Sequence, residues 1–116
     1  MKKKVEHEVS MLIREIRKEN IGNGPREITT RITGPWVICE MKGNLTNVEK
    51  FMLETKEGHE TIHKARTALI KKLYENKDKV AKLEEIVQAK LVNVFTDIDI
   101  EKDIAMTVYV FDRAIV

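Results

Sequence analysis

The amino-acid sequence predicts an α+β fold in which a four-stranded antiparallel sheet, made of two hairpins, packs against three to four helices. Apolar residues recur at helical spacing near the start and in the middle of the chain, whereas residues 27–41 and 91–111 are rich in β-branched and aromatic side chains. A chain of 116 residues is long enough for one domain and too short for two separate cores. We therefore expect one domain, residues 1–116, with the element order α-β-β-α-α-(α)-β-β.

A helix and a hairpin are predicted for the first third of the chain. Residues 5–17 place their apolar side chains on one helical stripe. The segment Asn-Ile-Gly-Asn-Gly-Pro, residues 20–25, ends this helix because two glycines and a proline do not continue it. Alternation over residues 27–33, a Gly-Pro turn and a nearly continuous apolar run over 36–41 then predict a hairpin whose second strand is well buried.

Helices are predicted for the middle of the chain. Thr46 and Glu49 have the spacing of a capping box, which predicts a short helix over about 46–56 that Gly58 ends. A second helix is expected over about 59–75. A third follows Asn76 or Asp78 as its N-cap and extends to about residue 89, unless the helix continues through this break. The side chains of the short helix that we expect to turn inward are Val48, Phe51 and Met52.

A second hairpin is predicted at the end of the chain, with strands over 91–98 and 104–111 around the acidic segment 99–103. Both faces of its last strand are apolar, so both should be covered. Helices can cover one face, and a second subunit can cover the other, which predicts a homo-oligomer, most simply a homodimer. The alternative is a helix that wraps round the end of the sheet. The two faces are Ile104, Met106, Val108 and Val110 on one side, and Ala105, Tyr109 and Phe111 on the other.

Composition excludes several classes of protein. The chain has 21 Lys plus Arg and 19 Asp plus Glu, a net charge of +2, and no recognisable RNA- or DNA-binding motif, so we expect no nucleic-acid partner. The longest uncharged stretches have eight residues, far short of the roughly 20 that span a bilayer, and no apolar segment typical of a secretory signal follows the basic start. The one cysteine, Cys39, fits a reducing cytoplasm.

A zinc-protease pattern occurs at His59-Glu60-Thr61-Ile62-His63, which reads H-E-x-x-H. Two imidazoles one helical turn apart can face one metal ion, and the glutamate can polarise the attacking water. Catalytic zinc needs a third protein ligand, however, and His7 is the only other histidine. Adventitious metal binding by His59 and His63 is therefore favoured over catalysis, and we expect no cofactor.

Two other groups of residues are candidates for binding an anion or a ligand. Arg66 lies inside an apolar helical stripe, so its charge should be paired, bind an anion, or reach solvent at the end of a packed stem. Asp97 and Asp99 are candidate partners, and otherwise form a solvated acidic hairpin tip. The loop from Gly22 through Gly24 to Arg26 could offer backbone amides to an anion, although a helix stop followed by a turn is the favoured explanation.

Several segments together resemble a known family. They are Gly22-x-Gly24-Pro25, Gly43-x-Leu45-Thr46-x-x-Glu49, Glu57-Gly58, Arg66 and Val94-Phe95-Thr96-Asp97-Ile98-Asp99. Over about residues 8–111 the chain resembles the MpsC-like family, a bacterial and archaeal domain of unknown function named as component C of a sodium-translocating membrane potential-generating system. Arg66, Asp97 and Asp99 match the family pattern, whereas Asn23, His59 and His63 depart from it. The resemblance implies a peripheral or regulatory component and not the ion pathway itself.

Three functional hypotheses follow. The first is a non-enzymatic cytoplasmic protein that acts by protein–protein contact and is associated with a membrane-bound cation-translocating complex. The second is a sensor of a small anion or a nucleotide-like ligand, built on Arg66, Arg26 and the Gly22–Pro25 loop. The third is a zinc hydrolase on His59, Glu60 and His63. The sequence favours the first.

Overall fold

The computed structural model describes residues 1–115 and confirms the predicted α+β fold and element order. Four antiparallel strands form one sheet, and the four helices have the order α-β-β-α-α-α-β-β with the strands. The elements are α1 (Lys2–Ile21), β1 (Glu27–Thr33), β2 (Trp36–Lys42), α2 (Asn47–Met52), α3 (Lys56–Leu73), α4 (Lys77–Val87), β3 (Leu91–Asp99) and β4 (Ile104–Phe111).

The sheet has the strand order β1-β2-β4-β3, so its two hairpins meet through the antiparallel pairing of β2 with β4. Successive side chains alternate between the two faces of a strand. One face is the core side, where Val37, Cys39 and Tyr109 are fully buried. All four helices belong to this side, and the opposite face carries the exposed positions of each strand.

The helices form one layer over the core side of the sheet. Helix α1 packs on β1 and against α4, while α3 packs on β3 and against α2. Val9 and Ile13 of α1 and Leu83 of α4 have no exposed surface. A sheet that packs its helices on one face forms two layers around one apolar core.

At both edges of the sheet, side chains accept hydrogen bonds from backbone amides. At the β1 edge, Glu6 Oε2 accepts a hydrogen bond from the Ile32 amide at 2.8 Å. At the β3 edge, the amides of Val94 and Ile98 donate at 2.8 Å to the side chains of the residues that precede them. Filled edge positions discourage pairing with a strand from another chain.

Two predictions for the middle of the chain are wrong. Val48 and Phe51 do not turn inward, because α2 packs mainly against α3 and leaves them 70% and 71% exposed. Gly58 does not end a helix. It lies in the first turn of α3, where its amide donates to the Thr55 hydroxyl that caps the helix, at 2.9 Å. The first helix ends at Ile21 with Gly22 as its C-cap, as predicted, but it begins at Lys2, before the apolar stripe.

Gly58 is required by the close approach of two helices. A Cβ atom at this position would overlap the backbone carbonyl oxygen of Met52 at the end of α2. We expect Gly58→Ala to lower the free energy of unfolding by about 2 kcal/mol, measured by urea denaturation. Gly22→Ala is the comparison, since that position has φ of 88° and open space, and the left-handed backbone alone costs about 1 kcal/mol. A smaller loss at Gly58 than at Gly22 would contradict the proposed close contact.

Candidate functional site

A polar cluster ties the loop after β2 to the turn between β3 and β4. Asp103 has φ of 54°, and its carboxylate accepts hydrogen bonds from the amides of Asn44, at 2.8 Å, and Leu45, at 3.2 Å. The Asp103 carbonyl accepts from Gly43 at 3.2 Å. Asn44 is buried, and its side-chain amide donates to the Met41 carbonyl at 2.9 Å. The cluster therefore holds two turns that are distant in sequence.

Arg66 completes this cluster from α3, where it is buried and paired, one of the outcomes that the sequence left open. Its Nε donates to Glu49 Oε2 at 2.7 Å, and its Nη2 donates both to Glu49 Oε1 and, at 2.8 Å, to the Asn44 carbonyl. The partner is Glu49, not Asp97 or Asp99. The glutamate was visible in the sequence as the third residue of a capping box, and it keeps that role by accepting from the Thr46 amide at 2.9 Å.

The electrostatics of Glu49 follow from these contacts. Burial opposes ionisation of its carboxyl group, but the hydrogen bonds from Arg66 and from the Thr46 amide outweigh burial and lower its pKa. Because the fork of Arg66 is filled by a carboxylate and a carbonyl, the residue acts here as a clamp on the loop. Binding of an external anion by Arg66 would have to displace Glu49, and ligand binding at this position stays a prediction.

The glycine loop that was predicted to bind an anion is split between two places. Gly22 has the left-handed conformation of a helix C-cap and donates its amide to the Lys18 carbonyl at 3.0 Å. Gly24 lies against Arg14 of α1. Arg26 instead crosses Gly43, next to the Asn44 carbonyl that Arg66 binds. The structure thus brings Arg26 and Arg66 to successive residues of one loop, whereas Gly22 caps α1.

The histidines of the zinc-protease pattern face the acidic hairpin. His63 Nε2 and Asp97 Oδ1 are 2.7 Å apart in an exposed pair, and this hydrogen bond lowers the pKa of Asp97. His59, His63 and Asp99 line a shallow cleft of about 370 Å³. Within residues 1–115, no three His, Cys, Asp or Glu side chains are grouped so that they could hold a metal ion. Metal binding by His59 and His63 stays a prediction.

The face of the sheet opposite the helices, here called the open face, is apolar at its centre. The strand register aligns Ile38 of β2 with Val108 of β4 and with Phe95 of β3. Phe95 is 58% exposed, and Trp36 and Met106 are 47% and 41% exposed. Large aromatic and aliphatic side chains that share one exposed surface are typical of an interaction site. The residues that define the open-face centre are Trp36, Ile38, Phe95, Met106, Val108 and Val110.

One charged residue in the core was missed by the sequence interpretation. Arg17 of α1 is only 3% exposed. The signal was its spacing, because Val9, Ile13 and Arg17 follow each other at intervals of four on one helical stripe. An arginine near the end of an amphipathic helix is more often exposed to solvent, so its place on this stripe did not by itself predict burial.

The clamp predicts the effect of removing Arg66. Arg66→Met keeps the length of the stem but leaves the mostly buried Glu49 carboxylate without its partner, so we expect the free energy of unfolding to fall by about 3 kcal/mol in urea titrations at neutral pH. Lys64→Met on the exposed side of α3 is the matched control and should change little. Equal effects of the two substitutions would show that the clamp does not stabilise the fold.

The lowered pKa of Glu49 predicts that the free energy of unfolding decreases at acidic pH. The ionised form is favoured in the folded state, so its contribution is present above the ordinary glutamate pKa of about 4.3 and is lost as pH falls through the lower folded value. Urea titrations from neutral to acidic pH should show a smaller acid-induced loss for Glu49→Gln than for the wild type. Glu54→Gln, at an exposed position, should keep the wild-type profile.

Comparison with known proteins identifies the family. The family model described as "Na+-translocating membrane potential-generating system (MpsC)" matches residues 1–113. An uncharacterised protein of Bacillus subtilis strain 168, YrhF, is 45% identical over 115 residues, which cover 99% of this chain and 93% of that protein. No solved structure matches the chain. No helix in the described part of the chain combines the length and hydrophobicity needed to cross a bilayer. The chain therefore belongs to the MpsC family.

Proposed function

We propose that the chain is a single-domain, non-enzymatic cytoplasmic component that acts as a homodimer joined through the open face, in the service of a membrane cation-translocating system. The exposed apolar centre of the sheet is the observation that carries the proposal. Trp36, Phe95 and Met106 remain between 41% and 58% exposed there, although β2 and β4 bury their other side in the core.

The free energy for association comes from covering this apolar area. Each square ångström of apolar surface removed from water contributes about 25 cal/mol. Ile38, Val108 and Val110 are half-buried beside the exposed residues, so the area is continuous across the β2–β4 pair. A continuous patch supports a stable interface better than scattered apolar residues do.

The edges of the sheet favour a contact through its face. Glu6 occupies the Ile32 amide at the β1 edge, and Asp97 occupies the Ile98 amide at the β3 edge. Extending the sheet into a second chain would require these side chains to leave. Packing two sheets face to face, at about 10 Å, requires no such change.

The arrangement of the open face suits a second copy of the same chain. Arg31, Ile38, Val108 and Phe95 lie in one row across the four strands. A two-fold axis parallel to the strands, between β2 and β4, would lay Ile38 on Val108 of the second copy. The same axis would bring Arg31 over Phe95 of the second copy, so that a cation meets an aromatic ring.

The family description supports the cellular part of the proposal. It names a Na+-translocating membrane potential-generating system, and a chain whose described helices do not cross a bilayer would serve such a system from its periphery. Burial raises the pKa of the Cys39 thiol to about 11, so this thiol is a weak nucleophile at neutral pH. Val48 and Phe51 on α2 stay exposed in the proposed dimer and are available to another partner.

The dimer is tested by sedimentation velocity over a range of protein concentrations. We expect the wild type to sediment as a dimer, and Phe95→Glu combined with Met106→Glu to raise the dissociation constant at least about tenfold, because two carboxylates enter the apolar contact. Phe51→Glu is the control, since Phe51 is also a large exposed apolar residue, at 71%, but lies on α2. A wild-type monomer, or loss of the dimer with Phe51→Glu alone, would contradict the proposed interface.

The cellular role is tested by deleting the gene in its host and measuring Na+-dependent membrane potential with a voltage-sensitive dye. We expect the deletion to reduce the potential, the wild type to restore it, and the Phe95→Glu, Met106→Glu variant to fail at equal expression. An unchanged potential after deletion would refute the link to cation translocation and would leave the dimer result untouched.

A further inference from the structure

Arg17 carries its charge into a buried polar cluster below the sheet. The thiol of Cys39 and the hydroxyl groups of Tyr74 and Tyr109 are all buried. Burial raises their pKa values, and the positive charge of the Arg17 guanidinium opposes that rise. The two tyrosine oxygens are 2.6 Å apart, and their rings meet edge to face with centroids 5.0 Å apart. The cluster joins α1, the end of α3 and the two central strands.

The guanidinium lies close enough to the Tyr74 hydroxyl to oppose the rise in its pKa, but two of the guanidinium nitrogen atoms lack acceptors in the described part of the chain. Its Nε and Nη2 atoms are buried and have no hydrogen-bond partner among residues 1–115, and no ion pair within that range includes Arg17. The tyrosine pair adds to the surplus of donors, because two hydroxyl groups carry two protons and only one proton can lie between the two oxygens. Several donors therefore converge in the core without an acceptor for each.

The neighbouring groups do not supply a negative charge. Burial raises the pKa of Cys39 to about 11 and that of Tyr74 to about 12, so both are neutral at pH 7. An unpaired charge in a protein interior is among the most costly groups to bury. The remaining unpartnered buried side-chain atoms of the described chain, on Asn44 and Thr67, are neutral, so Arg17 stands apart.

We propose that a small monovalent inorganic anion binds between Arg17 and Tyr74 and accepts hydrogen bonds from Nε, Nη2 and the spare tyrosine proton. An anion is an acceptor only, and it balances the charge, whereas a water molecule would add two further donors. A divalent anion fits poorly, because the desolvation cost rises with the square of the charge and the site holds one cation. The inference does not depend on the proposed function.

A cleft beside Tyr74 offers a route to the site. It lies between the α3–α4 connection and β3, has a volume of about 350 Å³, and is lined by Tyr74, Leu91 and Asn93 among others. Lys71 is the one charged side chain in its lining within the described residues, so the cleft carries positive charge without an acid. Anions would be drawn to this cleft, which Tyr74 of the buried cluster lines.

Crystals grown with sodium bromide in place of other sodium salts test the site directly. We expect an anomalous difference peak at the bromine absorption edge within hydrogen-bonding distance of Arg17 Nε or Nη2. A well-ordered water at that place with no anomalous peak, or an empty space, would overturn the proposal.

Thermal unfolding supplies a second test in solution. At matched concentrations, sodium chloride, bromide and nitrate should raise the Tm of the wild type above its value in sodium gluconate, whose anion is too large for the core. Arg17→Met should abolish this difference, while Lys18→Met, an exposed neighbour, should retain it. Equal Tm values of the wild type in all four salts would overturn the proposal.

Tyr74→Phe keeps the test valid if Arg17→Met does not fold. This substitution preserves the ring and removes one hydroxyl group, so we expect the midpoint of the bromide or chloride titration to rise about tenfold. An unchanged midpoint would remove Tyr74 from the site and contradict the proposed geometry.

Discussion

The antiparallel pairing of β2 with β4 is the interaction on which the rest of the structure depends. It joins two hairpins that are separated by three helices in the sequence, and it aligns Trp36 with Val110 and Ile38 with Val108. Because side chains alternate, the same register sends Val37 and Tyr109 into the core. A shift by one residue would exchange the two faces, so both the core and the proposed dimer surface rest on this register.

A buried polar group is stable only when it is hydrogen-bonded, and the two buried arginines of this chain meet that requirement to different degrees. Arg66 is buried, but its donors are met by Glu49 and by the Asn44 carbonyl, so the charge holds a loop in place. Arg17 is equally buried, but two of its nitrogen atoms have no acceptor among the described residues. Satisfied donors stabilise a fold, while converging donors without acceptors indicate a binding site.

Sequence patterns were reliable where local chemistry decides the structure. The capping box at Thr46 and Glu49, the N-cap at Asn76 and the strand over residues 104–111 all occur as predicted. Patterns failed where packing decides, as at Val48 and Phe51, whose helix is too short to bury its apolar side. Among the site residues, the burial and pairing of Arg66 were predictable from its place in an apolar stripe, but its partner was not.

The sequence by itself determined the α+β class, the order of elements and the membership of the MpsC family, because periodicity, capping and family motifs are local or cumulative properties of the chain. Tertiary structure alone decided which strands are neighbours and that Glu49, not an aspartate, binds Arg66. It also decided that Arg17 lies in the core with two nitrogen atoms that have no acceptor among residues 1–115. These facts depend on contacts between residues far apart in the chain, and such contacts are set by the packing of whole elements, which no local pattern records.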